Sequence, residues 1–412
     1  MIVLFFLLLL MCPPLSLIYA IVGFLWDARK WRRYLFFLVY FFFMFITALT
    51  LVENSNYDLV RYYQYMDQAA GLSFLEALNF RNDNLFTMNV LYWLFGRMGY
   101  HQLLPAFSVS IIVFSLGYIT CDLAESQKAW HLVKYVLLYQ FMVMPLMYNM
   151  EVVRSGLAFC LITLMAYLDI VKKKRKLWIY LVYIACVFIH NAALLFIVFR
   201  LVCLLPKSVR KIALLFPLVV GTLITFAFNH LELFSGYKLL YTIIRKANVY
   251  FYKDIGYALN TMNNLYFKRL KFVMVAEAVL MVVIAAYFMF VISKRRSQII
   301  ELSKPEQDFL MFFTSINIAA LSIITAPSPM YWRVTTAAYC CCAIYMLPTI
   351  RNYRVLPALV RVSYWGLWLL AIPALYLNLR RILSYPDNFI TWLEDSLLTN
   401  IFTVFFRVAK AL

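Results

Sequence analysis

Residues 147–176 read MYNMEVVRSGLAFCLITLMAYLDIVKKKRK: one arginine, Arg154, opens an apolar segment that closes on five consecutive cations, Lys172 to Lys176. A helix of that length and composition crosses about 30 Å of hydrocarbon, and clustered cations in a short loop mark its cytoplasmic end. Arg154 therefore stands at the opposite, outer mouth. A charge in such a place is costly in lipid and needs a reason.

The rest of the chain repeats this pattern. With 65% hydrophobic and 14% charged residues and a mean hydropathy of +0.80, the sequence leaves no room for an ordinary soluble domain between its apolar runs. The fold class is an all-α polytopic membrane protein, since barrels show only short alternating segments. A net charge of +19 could suggest nucleic acid. The cations, however, sit in short loops between apolar runs, where they set topology and meet anionic lipid headgroups, so membrane lipid and no nucleic acid is expected as a partner. The eight cysteines lie in apolar segments or at a helix end and lack CxxC spacing; they read as small core residues, with no metal site.

Assigning the cation-rich short loops to the cytoplasm gives about ten to twelve transmembrane helices in a single transmembrane domain over residues 1–412. Residues 2–25 read as a first transmembrane helix with its N-terminus outside, not as a cleaved signal peptide, because their cations come only at Arg29 to Arg33. Further spans are expected over 34–52, 102–120, 132–146, 153–171, 212–228, 272–293, 308–325, from Arg333 to Arg351, and over 355–379. Outer segments fall near 53–101, with a short apolar stretch from Leu85 to Phe95, and near 229–270, where residues 237–253 have the spacing of an amphipathic surface helix. An outer C-terminal tail occupies about 380–412.

Residues 177–206 break the alternation. Cations flank them on both sides, Lys176 before and Lys207, Arg210 and Lys211 after, so both ends prefer the cytoplasm. At a rise of about 1.5 Å per residue, two legs of about 20 Å each are too short for two full crossings. The segment reads as a short helical hairpin whose tip, His190-Asn191, lies within the membrane's depth or just below its outer surface. Non-helical backbone at that depth requires a protein-lined or water-filled cavity.

Four features then share the outer side. Asp58, Arg61, Tyr62, Tyr63 and Asp67 open the first outer segment; Tyr148 and Asn149 precede Arg154; His190 and Asn191 form the tip; and Tyr331, Trp332 and Arg333 follow the helix-stopping Pro327 and Pro329. This set suits a phosphate-linked sugar. Arginine presents a planar fork of donors that matches phosphate oxygens and stays charged, so Arg154 and Arg333 are candidates to hold a diphosphate as it leaves. Asp58 and His190 are candidates to take a proton from an attacking hydroxyl. Tyrosine and tryptophan faces stack on sugar rings. The absence of an acidic Mg²⁺-type cluster favours metal-free chemistry with no cofactor.

Each residue also has a structural reading. The arginines could snorkel from helix ends, His190 could be a hydrogen-bonded core residue, Asp58 a helix cap, and the tyrosines part of an aromatic belt. His101, His131 and His230 take the structural reading, and Lys172 to Lys176 the topological one.

In order along the chain, Asp58 with Tyr62, Asn149 with Arg154-Ser-Gly-Leu-Ala, a lysine-rich inner loop, Phe188-Ile-His190-Asn-Ala-Ala-Leu, and Arg333 opening a late helix together resemble the EpsG family of Wzy-type polysaccharide polymerases. The resemblance implies a metal-independent glycosyltransferase of the bacterial inner membrane, with a fold like that of membrane-type GT-C enzymes and its site toward the periplasmic or outer face. The donor would be a growing O-antigen, capsule or exopolysaccharide chain on undecaprenyl diphosphate, and the acceptor a second undecaprenyl-diphosphate-linked glycan. Arg154 and Arg333 would bind the donor diphosphate; His190 and Asp58 would orient or deprotonate the acceptor. Arg61, Tyr62, Tyr63, Tyr148, Asn149, Asn191, Tyr331 and Trp332 would line the substrate site, and a flippase and a chain-length regulator are the expected partners. The alternatives are an O-antigen ligase, which would concentrate its chemistry in one large outer loop, and a non-enzymatic flippase or transporter of lipid-linked sugars, which would show inverted repeats and mid-membrane charges.

Overall fold

The computed structural model describes residues 15–16, 19–20, 22–23, 30–49, 58–206, 209–210, 265–293, 302–322 and 330–383. Outside the described residues lie the expected helix over 212–228, most of the helix over 2–25 and of the segment 229–270 with its amphipathic stretch, Pro327, Pro329, His230 and almost all of the C-terminal tail. So do the side chains of Tyr148, Tyr331 and Trp332, whose backbones are helical.

Among the described residues every regular element is helical. A first helix, α1 (Lys30–Leu49), is followed by three short ones, α2 (Asp58–Ala70), α3 (Phe74–Asn79) and α4 (Phe86–Arg97). These three fold on one another because their polar groups close locally. Ser73 and Glu76 form a reciprocal capping box at the start of α3, the side chain of Asn89 donates to the carbonyl of Leu78 at 3.0 Å, and Trp93 Nε1 donates to Leu72 at 3.0 Å. Helix α4 lies so close to α2 that a Cβ at Gly96 would sit 2.2 Å from the carbonyl oxygen of Met66. Only glycine permits that approach.

The centre is built from α5 (Leu103–Ser126) and α8 (Val153–Ile170), both long and apolar enough to span a bilayer. Between them in sequence run α6 (Val133–Val143) and the short α7 (Leu146–Glu151). Almost all of α8 is buried; a helix apolar all round belongs in the middle of a bundle.

The expected hairpin is present as α9 (Leu177–Ile189) and α10 (Leu194–Val202), joined by one 3-10 turn over Asn191–Ala193. Its legs of 13 and 9 residues span about 20 and 14 Å at 1.5 Å per residue, and neither reaches across about 30 Å of hydrocarbon. The hinge is His190, whose backbone is extended at φ −151°, ψ 113°.

The remaining helices are α11 (Leu265–Ser293), α12 (Lys304–Ser322), α13 (Met330–Cys341), α14 (Ala343–Arg351) and α15 (Ala358–Leu383). Helices α11 and α15 also carry spans of bilayer length. They pack together at the rim, where Leu359, Val362, Trp365, Leu369, Ile372 and Tyr376 of α15 point away from the protein, the face of a helix against lipid. The single helix expected from Arg333 to Arg351 differs in two ways. It starts earlier, at Met330, and it breaks at Cys342. The cause of the break is visible: Gln140 of α6 donates its side-chain amide to the carbonyl of Tyr339 at 2.8 Å, and a side chain inserted at a helix carbonyl disturbs the ladder there.

Helix ends that the cation count places together meet in space. At the end marked by Lys172, Lys172 and Tyr167 bind Asp122, Arg200 binds Asp169 at 2.5 Å, Arg210 binds Asp308, and Ser126 and Gln127 donate to Glu306. At the end marked by Arg154, Tyr100 donates to the Leu49 carbonyl at 3.0 Å, and Asn378 donates to Met142 and Met144 at 3.2 Å each.

Candidate functional site

Arg154 lies in the first turn of α8, just after Val152, whose backbone leaves the helical region at φ −106°, ψ 61°. The same turn contains Gly156, and there the side chain of Asn149 comes down onto the helix. A Cβ at Gly156 would sit 2.8 Å from Asn149 Oδ1. Asn149 is buried, and its amide nitrogen donates back to the Pro145 carbonyl at 3.0 Å. The Asn149 and Arg154-Ser-Gly motifs are thus one packed unit, in which the asparagine fixes the entry of the chain into α8.

The guanidinium of Arg154 reaches to α2. Its Nε donates to the phenolic oxygen of Tyr62 at 3.3 Å, and its carbon lies 5.4 Å from the centre of the Tyr62 ring. Burial pushes the Tyr62 phenol above its usual value, while the positive charge of Arg154 pulls it back. Tyr62 is therefore a neutral phenol that accepts from the arginine and keeps a proton to donate. Asp58, one turn earlier on α2, also acts on Tyr62 electrostatically, as does Arg333. The Asp58 carboxylate receives Nη2 of Arg61 at 2.6 Å, with Arg61 itself exposed.

Arg333 stands in the first turn of α13. Its height relative to Arg154 follows from helix packing. Cys160 of α8 and Cys340 of α13 touch at 3.5 Å between sulfurs, six residues past Arg154 and seven past Arg333. The cation count runs both helices from the Arg154 end toward the Lys172 end, so Arg154 and Arg333 lie about 9 and about 10.5 Å from that contact in the same direction.

His190 completes the group. It is buried, its ring meets Phe159 of α8 edge-on at 5.3 Å, and both Arg154 and Arg333 act on it electrostatically. Phe159 lies five residues beyond Arg154, about 7.5 Å along the axis, so the hairpin tip sits recessed below the arginines. Its Nδ1 accepts the backbone N–H of Ala192 at 3.3 Å. That hydrogen bond assigns the ring proton to Nε2, which makes His190 a donor in this arrangement.

The structure thus sets Arg154 against Tyr62 and packs His190 on the same helix, with Asp58 and Arg333 near enough to act on Tyr62 electrostatically. It places others elsewhere. Tyr63, about 100° further around α2, stacks on His101 at 5.1 Å, and His101 Nε2 pairs with Asp67 at 2.9 Å; these residues brace α2 against the start of α5. Asn191 is exposed at the start of the 3-10 turn.

Sequence reasoning missed a second aromatic layer. Tyr92 of α4 packs on Tyr62 at 5.9 Å and on Tyr65 at 5.6 Å, and Arg81 lies 3.9 Å over the Tyr65 ring while pairing with Asp83 at 3.0 Å. The signal was the Met88–Tyr92–Phe95 stripe at helical spacing, in a stretch read only as apolar. Glu277 was also missed, although it is a lone carboxyl in the apolar run 272–292.

Chemically, guanidinium, imidazole N–H and phenol groups are donors of the kind that suit a compact polyanion, and Asp58 adds a carboxylate on α2. A model of the EpsG family matches residues 33–380 of the chain. No curated protein and no solved structure matches it.

Proposed function

The chain belongs to the EpsG family, which is related to Wzy-type polymerases, and from this premise we propose that it is a glycosyltransferase joining undecaprenyl-diphosphate-linked repeat units into a surface polysaccharide at the periplasmic or outer face of a bacterial inner membrane. The observation that carries this reading is the Arg154 guanidinium at the mouth of α8, 3.3 Å from the Tyr62 hydroxyl, with the buried His190 packed on the same helix at Phe159.

In the proposed reaction the donor is the growing chain on its lipid diphosphate. Arg154 and Arg333 hold the diphosphate, as paired guanidinium forks match its oxygens. A hydroxyl of the acceptor glycan attacks the anomeric carbon. A new C–O bond forms as the bond to the diphosphate oxygen breaks, and the electron pair leaves with undecaprenyl diphosphate. Negative charge grows on that oxygen in the transition state, where fixed cations and the Nε2–H of His190 stabilise it most. With His190 Nδ1 occupied by Ala192, the hydroxyl proton passes to Asp58, and Arg61 supports the carboxylate. The arginines here do the neutralising work that a divalent ion does in other phosphate sites. Tyr62 and Tyr92 offer ring faces for sugars. A flippase supplying units and a protein regulating chain length are the proposed partners.

The test separates lipid-linked glycans by length on a gel. Arg154→Ala protein present at wild-type level in membranes should leave single repeat units unjoined; long chains at wild-type yield would contradict the reading.

A further inference from the structure

A chain of polar groups crosses the apolar core well away from the arginine site. Thr120 of α5 donates to Gln140 Oε1 at 3.0 Å. The Gln140 amide donates to the backbone carbonyl of Tyr339 on α13 at 2.8 Å, and the Tyr339 hydroxyl donates to Glu277 Oε2 on α11. All four residues have no exposed surface. Four helices are thus linked by three hydrogen bonds, and α13 is held from two sides at one residue.

Such a link matters more in a membrane than in water. Between helices in lipid there is no hydrophobic driving force, so close packing and interhelical hydrogen bonds decide register. A buried carboxyl there is costly and is retained for a purpose. Tyr339 lies six residues beyond Arg333, about 9 Å along α13 and about 240° around it. One residue can therefore face Glu277 while the other faces His190. On the third side, Cys340 touches Cys160 of α8, the helix that carries Arg154.

We propose that Glu277 is a positioning residue: through Tyr339 it fixes the rotation and depth of α13, and so the height of Arg333 relative to His190 and Arg154. The effect on turnover rests on the polymerase reading; the effect on helix register does not.

Two readouts keep these apart, both in membranes containing the full chain. The first is diamide-driven cross-linking in a variant that keeps only Cys160 and Cys340, which reports the α8–α13 register. The second is repeat-unit joining per folded molecule. Glu277→Gln keeps the acceptor oxygen and should match wild type in both. Glu277→Leu strands the Tyr339 hydroxyl and should slow cross-linking and joining about tenfold each, the scale of one unsatisfied buried group. Tyr339→Phe removes one oxygen and little packing, and it should act in the same direction if the leucine variant does not fold. In an Arg333→Lys background the Glu277→Leu loss of joining should largely vanish, since residues acting through one another are not additive; a general structural defect would add in full. Wild-type cross-linking in both Glu277→Leu and Tyr339→Phe, or full additivity with Arg333→Lys, would overturn the proposal. Slower cross-linking with unchanged joining would support the positioning and overturn the role given to Arg333.

Discussion

Two sets of arginines in the helical bundle have different neighbours. At the Lys172 end, Arg200 and Arg210 meet the carboxylates of Asp169 and Asp308, and Lys172 meets Asp122. At the Arg154 end, the guanidinium of Arg154 rests on the neutral phenol of Tyr62, and Arg333 and Arg154 act together on a histidine. A carboxylate neighbour cancels a cation and turns it into a bolt between helices. Arg154 also touches a neutral group, the phenol of Tyr62, and on the proposed function its charge serves a ligand. On the proposed function the same residue type thus serves two purposes, bolting helices at one end and binding a ligand at the other.

That contrast is breakable. The largest effect is expected at the bolts. Arg200→Ala leaves Asp169, which is 2% exposed, without its cation, and breaking such a pair costs about 3–5 kcal/mol. Folded protein in membranes should fall sharply, while Arg200→Met with Asp169→Leu should recover it, because an apolar pair has no charge to strand. At the other end the readout inverts. Arg154→Ala or Arg333→Ala should leave folded protein near wild type and lower joining by about 10²–10³-fold, the range seen when one transition-state donor is removed. Equal loss of folded protein at both ends would erase the distinction.

Part of the fold behind this contrast was legible in the sequence, and the reason is physical. Lysine and arginine at the ends of apolar runs report sidedness, so the cation count put Arg154, His190 and Arg333 on one side before any contact was known. The hairpin was legible because the distance between its flanking cations is too short for two crossings, and His190 does fall at its bend. What stayed hidden was pairwise. Nothing in one sequence says that Tyr63 turns to His101 while its neighbour Tyr62 turns to Arg154, because a rotation of one residue decides it. The aromatic layer of Tyr65, Tyr92 and Arg81 depends on Gly96 admitting the Met66 carbonyl, a contact across helices. The break at Cys342 comes from Gln140, 199 residues before the Tyr339 whose carbonyl it meets, and no local propensity encodes it.

Smaller perturbations sharpen the comparison. Gly156→Ala pushes against Asn149, and an overpacked methyl of this kind costs about 1–3 kcal/mol. Because the strain falls at the turn that aims Arg154, joining should drop more than folded protein does, and joining measured per folded molecule checks this. The smallest effect is expected at α3, remote from both sets. Ser73 donates from its backbone and its hydroxyl to Glu76, which holds that carboxyl below its usual value. The sign follows: the capping box is intact above the ordinary carboxylate range and is lost as pH falls through the lowered value. Hydrogen exchange of the amides in this turn should speed up on acidification in the wild type. In Ser73→Ala it should be fast throughout, with joining unchanged.

The most direct measurement is binding of undecaprenyl diphosphate, set against the uncharged alcohol undecaprenol, to the purified chain and to Arg154→Gln and Arg333→Gln. If the two arginines are held for a phosphate ligand, wild type should prefer the diphosphate strongly, and either substitution should remove most of that preference while leaving undecaprenol binding unchanged. Equal affinity of all three proteins for the diphosphate would contradict the assignment.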